Sequence, residues 1–454
     1  MPRMPLSKSI IARTLETPRG EHAYSIVEKL TDAGFDAWWV GGAVRQMLQE
    51  EIPKDIDIAT SATPEQIENV FAQDLAEGAV HGSVRVRMGK DTFEVTTFRE
   101  DDAASDGRHP ESVVFGTREQ DAKRRDFTIN ALYWHPISRE LYDPFEGTAD
   151  LQEKLIRFIG DPTVRIRHDA LRLPRAVRFR SLLNGQYHPE TYRSLQELAD
   201  KVLILSGSRQ REEMEKMLLG PHPDRALEDL REFEMLAHFL PELSVCKGIP
   251  QPADFHHEGD VWEHMMMVLR SFREDDDIDV RLAALFHDCG KAETFSLKER
   301  IRFDHHAQVS AQKAEAALGR LQYPRKRIEK ISWMIAHHMM MTAFLEMPES
   351  RKAHWYFHPW FNDLVKLMYL DIAGTDPADY SLYDRILNDQ QHFLDAHPRP
   401  QKPLLSGDEI MRILGIGSGA RVGEILSMLH EAQLRGELTT KKEARAFVER
   451  LKGT

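Results

Sequence analysis

A chain of 454 residues, 41% hydrophobic and 29% charged, is long enough for about three cores. Its net charge of −13 excludes a protein that coats nucleic acid over its whole surface, and its two cysteines, Cys246 and Cys289, exclude a disulfide framework. No apolar run approaches the roughly 18 residues of a membrane span, and residues 1–20 lack the apolar core of a secretory signal, so a reducing, cytoplasmic setting away from membranes is expected.

In chain order, residues 20–36 have the spacing of an amphipathic helix closing near Gly34. AWWVGG reads as a short apolar strand running into a tight turn at Gly41-Gly42. AVRQMLQEE reads as a helix that Pro53 ends, and the alternating DIDIATS as a strand. Thr63 with Gln66 three residues on is a helix cap. SVRVRMGKDTFEVTTF reads as a hairpin turning at Gly89-Lys90-Asp91, followed by the polar loop REDDAASDGRHPES. From about residue 150 the patterns are almost entirely helical. The expected fold class is α+β, with a mixed head over 20–145, a helical neck over 146–245, a further helical domain over 246–400 and a helical segment over 401–454.

Three constellations carry chemistry. On a strand, residues i and i+2 share a face, so Asp55 and Asp57 are expected side by side. Two such carboxylates repel unless a cation sits between them, and hard oxygen donors suit Mg²⁺. Gly42 leaves room for backbone N–H groups beside a phosphate, and Arg45 can add a charge-assisted bond. A turn and two solvated acids are the ordinary alternative. RRDFTINALYW sets Arg124, Arg125 and Asp126 before an apolar stretch containing Asn130, polar groups that are costly to bury unless they hold something. Further on, Arg157, Arg165, Arg167, Arg172, Arg175, Arg178 and Arg180 face only Asp161 and Asp169, which suggests one local anionic ligand. Asp169, Arg172 and Arg175 stand at helical spacing with Arg178 along the same face, and a solvated arginine-rich face is the alternative. Finally, His264, His287-Asp288, His305-His306, His337-His338 and Asp371 lie in otherwise apolar helical stretches, and imidazole with carboxylate suits a divalent transition metal.

Taken together, GGAVR, DID, TFRE, SDGRHPESVVF, RRDFTINAL, LYDPFEGTADLQEKLIRFIGDP and HDALRLPRAVRF resemble the bacterial class II tRNA nucleotidyltransferases, the CCA-adding enzymes, and the related bacterial poly(A) polymerases. The resemblance implies a polymerase-β-like head with a mixed sheet, followed by an all-α neck and body. It implies Asp55 and Asp57 as the Mg²⁺ carboxylates, and Gly41, Gly42, Arg45, Arg124, Arg125, Asp126 and Asn130 around the nucleotide, with Asp126 reading the ribose. It implies a mobile loop over 99–117 holding Asp106, Gly107 and Arg108, and a hinge at Asp143, Gly147 and Asp150. Asp169 and Arg172 would read the Watson–Crick edge of the incoming base, with Arg175 and Arg178 facing phosphates. The histidine pattern resembles an all-α HD phosphohydrolase domain. Its metal ligands would be His264, His287, Asp288 and Asp371, with His306 and His337 as further ligands or phosphate contacts. Family members with such a domain carry 2′,3′-cyclic phosphodiesterase and phosphatase activities. The implied reaction is attack of a tRNA 3′-hydroxyl on the α-phosphate of CTP or ATP. His168, Pro174 and Ser208 depart from the family pattern near the base-reading helix, so CCA, CC-only, A-only and poly(A) addition all stay open, although the full-length loop favours CCA. An HD phosphohydrolase whose head merely binds RNA is the alternative of another class.

Overall fold

The computed structural model describes residues 5–80, 82–100, 114–252, 257, 259–297, 299–400 and 402–453, and the chain divides into two compact units, 1–239 and 240–454. The first unit is built on the run Ala37–Val40, whose four residues are all buried and lie inside a seven-stranded sheet. The strand order is Leu75–Val80, Ser83–Met88, Asp91–Thr97, Asp57–Thr60, Ala37–Val40, Tyr133–Trp134, Leu141–Tyr142. Neighbours run antiparallel except Asp57–Thr60 against Asp91–Thr97, which is parallel with Ile58 opposite Val95. The expected hairpin is present, and Gly89 supplies its left-handed turn residue at φ +60.

Two local expectations change. The strand predicted over DIDIATS begins only at Asp57, and Asp55 precedes it in irregular chain. Strand alternation therefore does not set the two carboxylates on one face. The helix after Gly41 is shorter than expected, Gly42–Leu48, and the chain leaves it through the left-handed Glu50 before Pro53 is reached.

The head runs directly into the helices Pro162–His168, Arg172–Leu183, Pro189–Glu197, Gly207–Leu218 and Pro223–Glu232. Phe127 ties the two parts together, its ring centroid 4.7 Å from that of Phe158 and 5.6 Å from that of Phe179. The boundary expected near 145 thus lies inside one packed unit. At that point Asp143 accepts from the Gly147 and Thr148 amides at 2.7 and 3.0 Å, and Asp150 accepts from Thr128 Oγ1 at 2.6 Å and Arg157 Nε at 3.0 Å. Gly147 is required by close approach, since a Cβ there would stand 2.2 Å from the Thr128 carbonyl oxygen. Pro174 is the third residue of Arg172–Leu183. In the first turn no intrahelical N–H bond is lost, so this proline breaks nothing.

The second unit is helical, from Val261–Arg270 and Ile278–Phe286 through His306–Arg320, Arg325–His337 and Phe361–Ala373 to Ser381–Ala396. The expectation of an all-α domain needs one amendment, the small hairpin Phe295–Leu297 with Ile301–Phe303. Its last three long helices, Gly407–Leu414, Ala420–Leu434 and Lys441–Arg450, share a small core around Ile410, Leu429, Ala444 and Val448. Among the described residues no helix is long and apolar enough to cross a membrane.

Candidate active site

In the first unit an open cleft of about 340 Å³ is lined by Asp57, Glu94, Thr96, Arg99, Arg124, Arg125, Asp126, Asp169, Leu171, Arg172 and Arg175, with Val40, Ile58 and Ala59 as its floor. Head and neck residues therefore meet in one place. Asp57 opens the strand opposite Val40. Crowding by protein atoms, then the carboxylates of Asp55 and Glu94, push its pKa up to about 6, while Arg125 works against them. Asp55 is 73% exposed at its side chain, pairs with Arg19 Nη1 at 2.8 Å, and does not line the cleft. Glu94, on the parallel neighbouring strand, is a third carboxylate that sequence reasoning misses; its only signal is the alternation within TFEVTT. Mutually repelling oxygen donors of this kind fit a hard divalent cation.

Arg124 and Arg125 are held by a second residue that the sequence reading misses. Asp121 is 1% exposed and accepts from Arg124 Nε at 2.8 Å, Arg125 Nη2 at 3.1 Å and the Tyr133 hydroxyl at 2.6 Å. Its spacing of three and four residues before the arginines is the available signal. Gly41 takes φ +63, and a Cβ there would stand 3.2 Å from Arg125 Nη1, so the turn and the arginine both need glycine. Gly42 is less constrained, because a Cβ would meet only Arg45 Nη2, at 3.9 Å.

Arg45, Asn130 and Arg178 do not line the cleft. Buried Arg45 donates to the Asn130 side-chain oxygen, and Asn130 Nδ2 donates to Asp126 Oδ1 at 2.9 Å. Asp126 also accepts from the Phe127 amide at 2.8 Å and from Arg175 Nε at 2.7 Å. Burial works against the Asp126 carboxylate, yet Arg175, Asn130 and the Phe127 amide hold its pKa down at about 2. Burial, then Arg178, lowers Arg45 to about 10. Arg178 itself donates to buried Glu213 at 2.6 Å. The expected phosphate-facing arginines of this helix, Arg175 and Arg178, are thus each engaged with a carboxylate. Asp169 caps the helix Pro162–His168 in extended conformation at φ −149, so it does not share a helix with Arg172, although both reach the cleft. His168, Pro174 and Ser208 are not among the cleft-lining residues. Asp106, Gly107 and Arg108 lie outside the described residues.

The second unit holds a second centre. His264, His287 and Asp371 bring one ligand atom each within 4.8 Å of one another, and Asp288, His306 and His338 form a second such trio. His264 and His287 place Nε2 at 3.2 and 3.3 Å from Asp371 Oδ1. Asp288 turns Oδ2 toward His287 at 3.4 Å and Oδ1 toward His306 at 3.4 Å, so one carboxylate serves both trios. Each imidazole uses Nδ1 on a backbone carbonyl: His264 on Gly374, His287 on Ala284, His306 on Phe303 and His338 on Ile335, at 2.7–2.9 Å. With the proton on Nδ1, the four Nε2 lone pairs face one another, His264 to His287 at 3.4 Å and His306 to His338 at 3.3 Å. Facing acceptors repel, and a divalent metal is the group that would satisfy them. His337 stands elsewhere, with Nδ1 on the Trp333 carbonyl at 2.7 Å and its ring against Trp333 and Trp355. The position expected for it is taken by His338, its neighbour in the HH pair.

Comparison with known proteins follows this layout. Residues 37–157 match the Poly A polymerase head domain, 186–246 the probable RNA and SrmB-binding site of polymerase A, and 255–387 the HD domain. The CCA-adding enzyme of Lactobacillus helveticus is 41% identical over 230 residues, 50% of this chain and 57% of that enzyme. The chain thus spans little more than half the length of that relative. The A-adding tRNA nucleotidyltransferase of Deinococcus radiodurans is 33% identical over 73% of this chain and 79% of its own length. The CC-adding tRNA nucleotidyltransferase of Thermus thermophilus is 31% identical over 91% and 93%. Among solved structures, the Bacillus stearothermophilus CCA-adding enzyme in complex with CTP superposes with a TM-score of 0.68 at 26% identity, covering 95% of this chain and 97% of that one. A head, an RNA-binding region and an HD domain in this order, matched nearly end to end by a relative above 30% identity, place the chain in the family of tRNA nucleotidyltransferases and bacterial poly(A) polymerases.

Proposed function

We propose that this chain adds CCA to the 3′ end of tRNA from CTP and ATP. The observation that carries the reading is one cleft lined together by the carboxylates Asp57 and Glu94, the guanidiniums Arg124 and Arg125, and the pair Asp169 and Arg172. Asp121 fixes Arg124 and Arg125 at the rim, where two guanidiniums receive the triphosphate. In the structure Arg172 donates from Nη1 to the Arg165 carbonyl at 2.6 Å and from Nη2 to the Arg124 carbonyl at 3.2 Å, so in this reading its remaining N–H groups, with Asp169 as acceptor, meet the base edge, a pair that can match cytosine or adenine with a small rotation. Asp57 and Glu94 are the cleft carboxylates that would hold Mg²⁺, joined by Asp55 on release from Arg19, and the ion would offset the negative charge gathered at the α-phosphate and the leaving pyrophosphate. Asp57 is ionised above about pH 6 and so can serve as a ligand at neutral pH. The 3′-hydroxyl oxygen forms the new bond to the α-phosphorus and pyrophosphate departs. The position of His168, Pro174 and Ser208 away from the cleft lining favours complete CCA addition over a partial product. The test offers tRNA ending at the discriminator base, at C and at CC, with CTP, ATP or both. Extension that stops at CCA supports the reading; CC-only, A-only or long A products overturn it.

The second centre favours a second activity, hydrolysis of phosphoesters at RNA 3′ ends, including 2′,3′-cyclic phosphates. The specific observation is the pair of donor trios sharing Asp288, a layout for two divalent transition-metal ions. His287→Ala with Asp288→Ala should remove phosphoesterase activity and leave nucleotide addition intact. Phosphoesterase activity that survives this pair of substitutions refutes the assignment.

A further inference from the structure

The second unit contains a cavity of about 480 Å³ that neither reaction uses. Four histidines converge on it from three elements. His354 and His358 come from the helix Glu349–Tyr356 and the turn behind it, His397 from the end of Ser381–Ala396, and His430 from Ala420–Leu434. Arg399 stands beside them. No carboxylate lines the cavity, in a chain where acids outnumber lysine and arginine by 73 to 60. The histidines and Arg399 are interleaved with apolar residues of the same segments: Phe357 between His354 and His358, Pro400 after Arg399, and Leu434 one turn on from His430.

The histidines are not arranged for a metal, since none belongs to a ligand trio among the described residues. His358 instead is set as a donor. Its Nδ1 accepts from the Trp360 amide at 3.2 Å, which leaves the ring proton on Nε2. Its ring lies flat on Trp333, centroids 4.1 Å apart and planes within 5°. Arg399 is exposed and makes no ion pair among the described residues. A guanidinium and imidazole N–H groups set among apolar side chains suit a ligand that carries both a phosphate and a ring. The volume admits one such unit. We propose that this cavity binds a nucleoside phosphate, either a free nucleotide or one nucleotide of an RNA strand.

The test is photo-crosslinking of the full chain with 8-azidoadenosine 5′-monophosphate, with the attachment sites mapped by peptide mass spectrometry. The expected result is labelling within residues 350–359, 397–403 or 430–434, falling on the order of tenfold in Arg399→Glu combined with His354→Glu, about the loss of one charge-assisted contact. Both side chains are exposed, and an unchanged urea-unfolding profile of the variant would report an intact fold. Protection by tRNA at lower concentration than by AMP assigns the site to RNA, and protection by AMP alone assigns it to free nucleotide. Labelling confined to the cleft of the first unit, or unchanged in the variant, overturns the proposal.

Discussion

Replacing Arg175 by Met tests what this arginine does. Its guanidinium donates to Asp126 across the junction between head and neck, with side chains 29% and 8% exposed. Despite burial, the Asp126 pKa is held at about 2 instead of 3.8, with Arg175 the first of the favourable causes. That difference corresponds to about 2.5 kcal/mol favouring the ionised, folded form. Because the folded value is depressed, this stability is present above pH 3.8 and is lost as pH falls toward 2, so a measurement at pH 7 reads all of it. Removing only the arginine also leaves a buried carboxylate with Asn130 and the Phe127 amide alone, for which losses of about 3–5 kcal/mol are typical. The two figures describe the same loss, so the expected destabilisation is about 2.5–5 kcal/mol, read by urea unfolding, and the Met side chain keeps the stem packed. A double-mutant cycle with Asp126→Asn should give a coupling of at least about 1.5 kcal/mol. If Arg175→Met unfolds within about 0.5 kcal/mol of the parent and only raises KM for nucleotide, the residue is a phosphate contact and the bracing argument is wrong.

Asp57→Asn should abolish nucleotide addition while leaving the unfolding transition in place; retained addition would remove Asp57 from the site. Since Asp57 is protonated below about pH 6, the Mg²⁺ concentration for half-maximal addition should climb about tenfold per pH unit below that point and stay level above it. A flat response from pH 5 to 8 contradicts this. In the second unit, metal analysis should find two ions per chain, with His338→Ala losing one and His337→Ala losing none; the reverse pattern would restore His337 as the ligand. Gly147→Ala must push against the Thr128 carbonyl, 2.2 Å from the new Cβ, and should cost about 1–3 kcal/mol in thermal or urea unfolding. No measurable loss would mean that the segment yields easily.

Much of the local structure was legible because it rests on short-range physics. SVRVRM and TFEVTT alternate, and Gly89 between them can take φ +60, so the hairpin needed no tertiary information. Thr63 with Gln66 formed the capping box that its spacing implies. The apolar helical stretches with embedded histidines pointed to a metal domain, because buried imidazoles at such density call for a common partner. The reading went astray where tertiary contacts override spacing. Alternation puts Asp55 in a strand, but the strand starts two residues later and the Asp55 carboxylate pairs with Arg19, 36 residues upstream. Spacing puts Asp169 and Arg172 on one helix, but the chain breaks at Asp169, which caps the preceding one. His337 and His338 cannot be told apart by sequence, since adjacent residues on a helix differ only in direction, and packing alone turned His338 inward and set His337 against two tryptophans.

Periodicity, capping and turn geometry act over a few residues, so the element types and the residue classes that the chemistry needs can be read along the chain, whereas the order head, neck and HD domain follows from the resemblance of its motifs to a known family. Only the tertiary structure decided which charges meet. It turned Arg175 and Arg178 onto Asp126 and Glu213 and brought Glu94 beside Asp57. Those pairings join residues up to 49 positions apart, and a carboxylate's partner is chosen by which guanidinium the packed core leaves within reach, a quantity that no local pattern encodes.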